Sequence, residues 1–185
     1  AYLEGIDVEI NREQGIGLIE SAAKEGFPIA MEELFRIYSN GIGVTLDYCK
    51  AVLWAEKHAD YMVTHYGEEH KDTLVSLGNL AFAYGNLGNY EKKLELLEHI
   101  NPICIRVLGK DHPDTLGVMN NLAITYSDYG KYKKALELQE KLYEICSKSL
   151  GAEHPKTLII LNSLANIYIG LRNYKEGLEI QKRVL

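Results

Sequence analysis

Apolar positions recur at spacings of three and four along most of the chain, the mark of helices that bury one face. Leu77, Leu80, Ala81 and Tyr84 form one such stripe. Gly88-Asn89 supplies a turn, and Tyr90, Leu94 and Leu97 restart the period on a second helix. The pair then returns: Leu122, Ala123 and Tyr126, a break at Gly130, then Tyr132, Ala135, Leu136 and Ile145. A third copy begins with Leu164, Ala165, Tyr168 and Tyr174. The period is 42 residues, and it carries non-core residues too. His70-Lys71-Asp72-Thr73-Leu74 recurs as His112-Pro113-Asp114-Thr115-Leu116 and as His154-Pro155-Lys156-Thr157-Leu158. A repeat of this size predicts stacked helix pairs sharing one elongated core, an all-α array.

The punctuation agrees with the stripes. Gly109 and Gly151 fall where the second helices must stop, because glycine tolerates the left-handed residue past a helix end. Pro113 and Pro155 fall where the next helices begin, with φ preset and no amide hydrogen to lose. The small residue at 81, 123 and 165 lets two helices approach, and the tyrosine three residues later fills the space beside it. Asn101-Pro102 interrupts the pattern. An interior proline removes a hydrogen bond and crowds the preceding turn, at about 3 kcal/mol, so a kink or early break is expected near residues 98–102.

The first 66 residues follow a different period. Tyr2, Gly5, Val8 and Ala23 match Tyr38, Gly41, Val44 and Ala59, all 36 apart. Tyr38 and Tyr48 are ten apart where Tyr84 and Tyr90 are six apart, so this helix–helix connection is four residues longer, with Gly41 and Gly43 to turn it. No Pro/Ser-rich linker separates the two periods, and one continuous stack is expected.

These residues resemble two known repeat families. Tyr38-x-x-Gly41-x-Gly43-Val44-x-x-Asp47-x-x-Lys50-Ala51-x-x-Trp54 resembles a Sel1-type repeat, which assigns residues 1–66 to Sel1-like repeats with the first incomplete. The 42-residue units, His-Pro-x-Thr-Leu followed by Asn-Leu-Ala-x-x-Tyr, Gly-x-Tyr and Ala-Leu, resemble the tetratricopeptide variant of kinesin light chains. That assigns residues 67–185 to three such repeats, the last truncated. The resemblance implies a right-handed α-solenoid of antiparallel helix pairs, in which the first helix of each pair lines a concave peptide-binding groove. This chain departs from the pattern at Lys71, at Lys93 and at Gly177, the last two standing where the middle copy has Ala135.

Composition narrows the function. The net charge of −6 lacks the basic face that nucleic-acid binding needs. No apolar run is long enough to span a membrane, and Ala1-Tyr2-Leu3-Glu4 has neither the basic nor the apolar region of a secretory signal. Cys104 and Cys146 hold equivalent places one repeat apart, about 8–10 Å or more by helix packing, too far for a disulfide. With Cys49 they read as free thiols in a reducing, cytoplasmic setting. His70, His112 and His154 are each one repeat apart and cannot share a metal ion; they read as helix-entry residues. His58 and His65 read as surface or packing residues. Gly41-Ile42-Gly43 has no Gly-Lys-Ser/Thr after it and is no phosphate loop. The carboxylates Glu91, Glu95 and Glu98, like Glu137, Glu140 and Glu144, read as a solvated outer face with local ion pairs. No cofactor, metal or catalytic group is expected.

What remains is the side of each first helix opposite its apolar stripe, reached by 100° steps. It carries Val75, Gly78, Phe82, Gly85 and Asn86, then Gly117, Asn120, Ile124, Ser127 and Asp128, then Ile159, Asn162, Asn166, Ile169 and Gly170, with Asn79 and Asn121 flanking. Amides there can donate to and accept from an extended peptide backbone. The predicted groove residues are Asn79, Phe82, Asn86, Asn120, Asn121, Ile124, Asp128, Asn162 and Asn166. With Asp128 present and no Lys or Arg on this face, a neutral or basic protein or peptide segment is the expected partner, and a clamp for a terminal carboxylate is disfavoured. The alternatives are a structural solenoid that self-associates weakly through uncapped ends, and a regulatory domain of a larger protein.

Overall fold

The computed structural model describes residues 11–184. Tyr2, Gly5 and Val8 of the first 36-residue copy, the opening Ala1-Tyr2-Leu3-Glu4 and the last residue, Leu185, lie outside the described residues. Among the described residues there are nine α-helices and no strand: α1 (Arg12–Lys24), α2 (Pro28–Asn40), α3 (Tyr48–Tyr66), α4 (Lys71–Leu87), α5 (Tyr90–Val107), α6 (Pro113–Asp128), α7 (Tyr132–Ser149), α8 (Pro155–Gly170) and α9 (Tyr174–Val184). They fall into two compact units that divide between Lys93 and Leu94.

In the first unit α1, α2, α3 and α4 pack each on the next. Its core holds Ile16, Met31, Leu34, Ile37, Tyr38, Ala51 and Trp54. The connection from α2 to α3 is the long one, and Gly41 and Gly43 both take left-handed φ values of 66° and 71°. Asp47 ends it, accepting from the Lys50 backbone N–H at 3.0 Å as the cap of α3. In the second unit α6, α7, α8 and α9 pack in sequence, and α6 also touches α8. Met119, Leu142, Cys146 and Ile160 make a buried cluster there.

The helix entries obey one local rule. His70, His112 and His154 are the N-caps of α4, α6 and α8. In each, Nδ1 accepts from the backbone N–H two residues on, at 3.3, 3.2 and 3.2 Å. Pro113 and Pro155 open α6 and α8 as expected. Lys71 opens α4 with the same cap, so the cap resides in the histidine and not in the proline. The threonines of the same motif, Thr73, Thr115 and Thr157, are fully buried. Thr73 donates to the Met62 carbonyl and Thr115 to the Cys104 carbonyl, both at 3.3 Å, tying each first helix to the end of the helix before it. Past α7, Gly151 takes a φ of 95°, the left-handed turn that its position predicts.

The expected early break at Asn101-Pro102 does not occur. α5 runs unbroken from Tyr90 to Val107 with Pro102 inside it. Ile100, Ile103 and Cys104 on either side of the proline are buried, and that buried face holds the helix together where local propensity would end it. The consequence is felt in polar groups instead. The Glu98 carbonyl has no N–H at residue 102 to accept from, and Asn101 Oδ1 is buried without a hydrogen-bond partner.

Small residues turn out to serve two purposes. Gly78 and Gly117 face open space. Gly85 and Gly170, on the side of their helices opposite the apolar stripe, are instead covered by the following or preceding second helix. A Cβ on Gly85 would lie 3.0 Å from Lys93 Cδ, and one on Gly170 would lie 2.4 Å from Tyr132 Cε1. Gly177 is buried against α8, where a Cβ would stand 2.8 Å from Ile169 Cγ1.

Candidate peptide-binding face

The three repeat tyrosines fix the orientation of the first helices, and through them the face that those helices present. Tyr84, Tyr126 and Tyr168 reach back across 28 residues, each hydroxyl donating to a glutamate on the preceding second helix. The distances are 2.6 Å to Glu56, 2.6 Å to Glu98 and 3.0 Å to Glu140. Lys92 Nζ lies 3.7 Å from Glu56 and 4.9 Å from the centre of the Tyr84 ring. Lys134 repeats this at 3.6 Å from Glu98 and 5.0 Å from the Tyr126 ring. The third copy has Glu176 where a lysine would fall. Burial, and then the bond to the glutamate, raise the tyrosine pKa values, to about 12 for Tyr126. The Tyr126 hydroxyl in turn holds the Glu98 carboxyl below its ordinary range.

Glu98 and Glu140 are therefore not members of a merely solvated outer face with local pairs. They accept from the next helix in the chain, and the Lys134 partner of Glu98 is 36 residues away. The regular recurrence of Glu56, Glu98 and Glu140 at 42 was the available signal; the 28-residue offset to the tyrosines required the fold.

With the tyrosine side anchored, the opposite sides of α4, α6 and α8 look outward. On α4 Phe82 is 51% exposed and Val75 is exposed beside it, with Asn79 and Asn86 half-buried. On α6 Asn121, Ile124 and Asp128 are exposed. On α8 Asn162 and Asn166 are exposed, and Ile159 is 63% exposed. Asn120 differs from its neighbours. It is half-buried, and its Oδ1 accepts from Gln139 Nε2 at 3.4 Å. Gln139 is fully buried on α7 and also donates to the Ile160 carbonyl at 3.3 Å. Asn120 thus spends one of the two lone pairs of its acceptor inside the protein.

The first unit also contains a concavity of about 270 Å³ between α2 and α4. Pro28, Ile29 and Glu32 line it from α2, and Asp72, Val75, Ser76 and Asn79 from α4. His58 and Met62 of α3 form its buried floor. His58 Nδ1 is 3.0 Å from Ser76 Oγ, a hydrogen bond that fixes the imidazole. Burial lowers the His58 pKa, with Glu32 opposing. Of the predicted groove residues only Asn79 lies here; Ile29, Glu32, His58 and Asp72 were not singled out for this role. The signal for His58 was its place on the buried stripe of α3 with Ala51, Ala55, Ala59 and Met62. No sequence signal marked the meeting of α2 with α4.

No group of three or more His, Cys, Asp or Glu side chains among the described residues is placed to hold a metal ion. No helix among them is long and apolar enough to cross a membrane.

The tetratricopeptide repeat model matches residues 72–146 and 130–185, together more than half of the chain. The chain belongs to the tetratricopeptide repeat family. Solved tetratricopeptide repeat (TPR) structures agree. The nearly identical TPR-like repeats of a Podosopora anserina kinesin light chain superpose with a TM-score of 0.75 at 29% identity, covering 86% of this chain and 75% of that one. A glutamine-to-methionine variant of those repeats gives 0.78 at 28%, covering 94% and 84%. BtubC (BKLC) from P. vanneervenii, at 16% identity, shares the fold with a TM-score of 0.62, covering 92% and 77%. No curated protein matches the chain. The TPR assignment makes this an all-α protein of the α-solenoid class, a fold that generally serves as an interaction scaffold.

Proposed function

We propose that this TPR chain is a non-catalytic, cytoplasmic interaction scaffold, and that in each of its units the outward sides of the first helices bind an extended peptide segment of a protein partner. On the same reading residues 1–66 are Sel1-like repeats that extend the series. One observation carries the proposal. The tyrosine side of each first helix is consumed in packing, whereas the other side keeps large apolar groups exposed beside amides with unspent hydrogen-bonding capacity. Phe82 stands near Asn79 and Asn86 on α4; Ile124 stands near Asn121 on α6; Ile159 stands near Asn162 on α8. Apolar anchors flanked by polar groups that orient a backbone are the composition of a recognition surface.

Selection of a random displayed peptide library on the intact chain tests this. Bound peptides should lose about 1–3 kcal/mol of affinity per amide removed by Asn162→Ala or Asn166→Ala, and should weaken with Phe82→Ala. The change Glu91→Ala on the second helix should leave them unaffected. Peptides indifferent to all the first-helix changes, in variants of unchanged helical content, would defeat the proposal.

A further inference from the structure

The concavity between α2 and α4 has a chemistry of its own, and its interpretation rests on the peptide-binding reading. Its volume of about 270 Å³ lies just under the ~300–1,000 Å³ of drug-sized ligand sites and is ample for one long side chain. Two carboxylates line it, Glu32 from α2 and Asp72 from α4, and both are exposed. Two apolar side chains line it beside them, Ile29 at 80% exposure and Val75 at 41%. The described residues that line it include no lysine or arginine. The floor adds no opposing charge at neutral pH, because the buried His58 ring is bonded to Ser76 and held below its ordinary pKa.

We propose that this pocket receives a single Lys or Arg side chain of the bound segment, its methylene stem along Ile29 and Val75 and its charged head between Glu32 and Asp72. Long basic side chains bury an apolar stem while keeping the head at a polar rim, and this pocket presents those two surfaces together. An acidic side chain would meet two like charges. A purely apolar one would cover carboxylates without pairing them, which is unfavourable. Specificity for a basic residue therefore follows as much from what the pocket rejects as from what it holds.

The test uses peptides selected on the intact chain, measured by fluorescence anisotropy. They should share a Lys or Arg at one fixed position, and its replacement by norleucine should weaken binding about tenfold, with less dependence on salt. The variant Glu32→Gln/Asp72→Asn, whose changes fall on exposed positions, should bind the basic and norleucine peptides alike. Peptides that need Phe82 but show no basic requirement, or that keep their full preference in the double variant, would overturn the pocket and leave the first-helix face standing. Failure to select any peptide that depends on the first helices would overturn both.

Discussion

The Tyr126 hydroxyl donates to Glu98 Oε1 at 2.6 Å, and Lys134 sits 3.6 Å from the same oxygen and over the tyrosine ring. One side chain is thus packed by its ring and held by its tip, joining α6 to the second helix on either side of it. Its 42-residue neighbour Tyr84 has the same partners in kind, Glu56 and Lys92. This tyrosine–glutamate–lysine triad is a repeat-level device, and its strength can be read out by mutation and by pH.

Tyr126→Phe leaves the ring in place and removes only the bond to the carboxylate, so it should destabilise the protein by about 1 kcal/mol, discounted from the ~1.5–3 of a charged hydrogen bond because Glu98 is partly exposed. Tyr168→Phe should cost less, since Tyr168 is less buried and lacks the lysine. Urea unfolding of both variants checks the order. The sign of the pH effect follows from the Glu98 carboxyl, which is held below its ordinary 4.5. Its contribution is present above that value and is lost as pH falls through the lowered folded-state pKa. Glu98→Gln should therefore be less stable than the parent at neutral pH, and the difference should shrink below about pH 4.5. The tyrosine works in the opposite sense. Raised to about 12, Tyr126 contributes below its ordinary pKa of 10 and loses that contribution as pH rises toward 12. Alkaline absorbance titration should show one late-ionising tyrosine fewer in Tyr126→Phe.

Glu176→Lys places a lysine where Lys92 and Lys134 stand in the earlier copies. It replaces a carboxylate that raises the charge penalty on Tyr168 with a group able to pair with Glu140. Stabilisation of about 0.2–1 kcal/mol is expected, the range of an exposed pair, and it should fall in high salt. A lower melting temperature at low salt would contradict the equivalence of the third site.

Gly117 and Gly170 should respond oppositely to alanine. Gly117 faces open space in the interior of α6, so Gly117→Ala should stabilise by about 0.5–1 kcal/mol through helix propensity. Gly170 lies under Tyr132, and Gly170→Ala should destabilise by about 1–3 kcal/mol by forcing the ring aside. Thermal unfolding of the two variants side by side decides it.

Pro102→Ala restores an N–H to the Glu98 carbonyl inside a helix that is already continuous. Stabilisation of about 1–3 kcal/mol is expected, up to the usual cost of an interior proline. Loss of stability would mean that the proline ring packs favourably enough to outweigh the missing bond. Denaturant midpoints with unchanged slope would give the answer.

The sequence by itself determined the helices, their pairing in 42-residue units, and the scaffold duty of His112, Pro113, Ala123 and Tyr126, because each obeys a local rule of period, cap or turn. It also placed Phe82, Ile124 and Asn162 on the outward side of their helices, since a 100° step is a property of one helix alone. It expected a kink or an early break near Pro102; the break does not occur, because the buried Ile100, Ile103 and Cys104 outweigh local propensity. It could not see that Tyr132 covers Gly170, that Gln139 occupies Asn120, or that Tyr126 finds Glu98. Nor could it see Glu32 and Asp72 brought to one pocket over His58. Those relationships lie between helices, and only tertiary packing sets the distance and direction in which two helices meet.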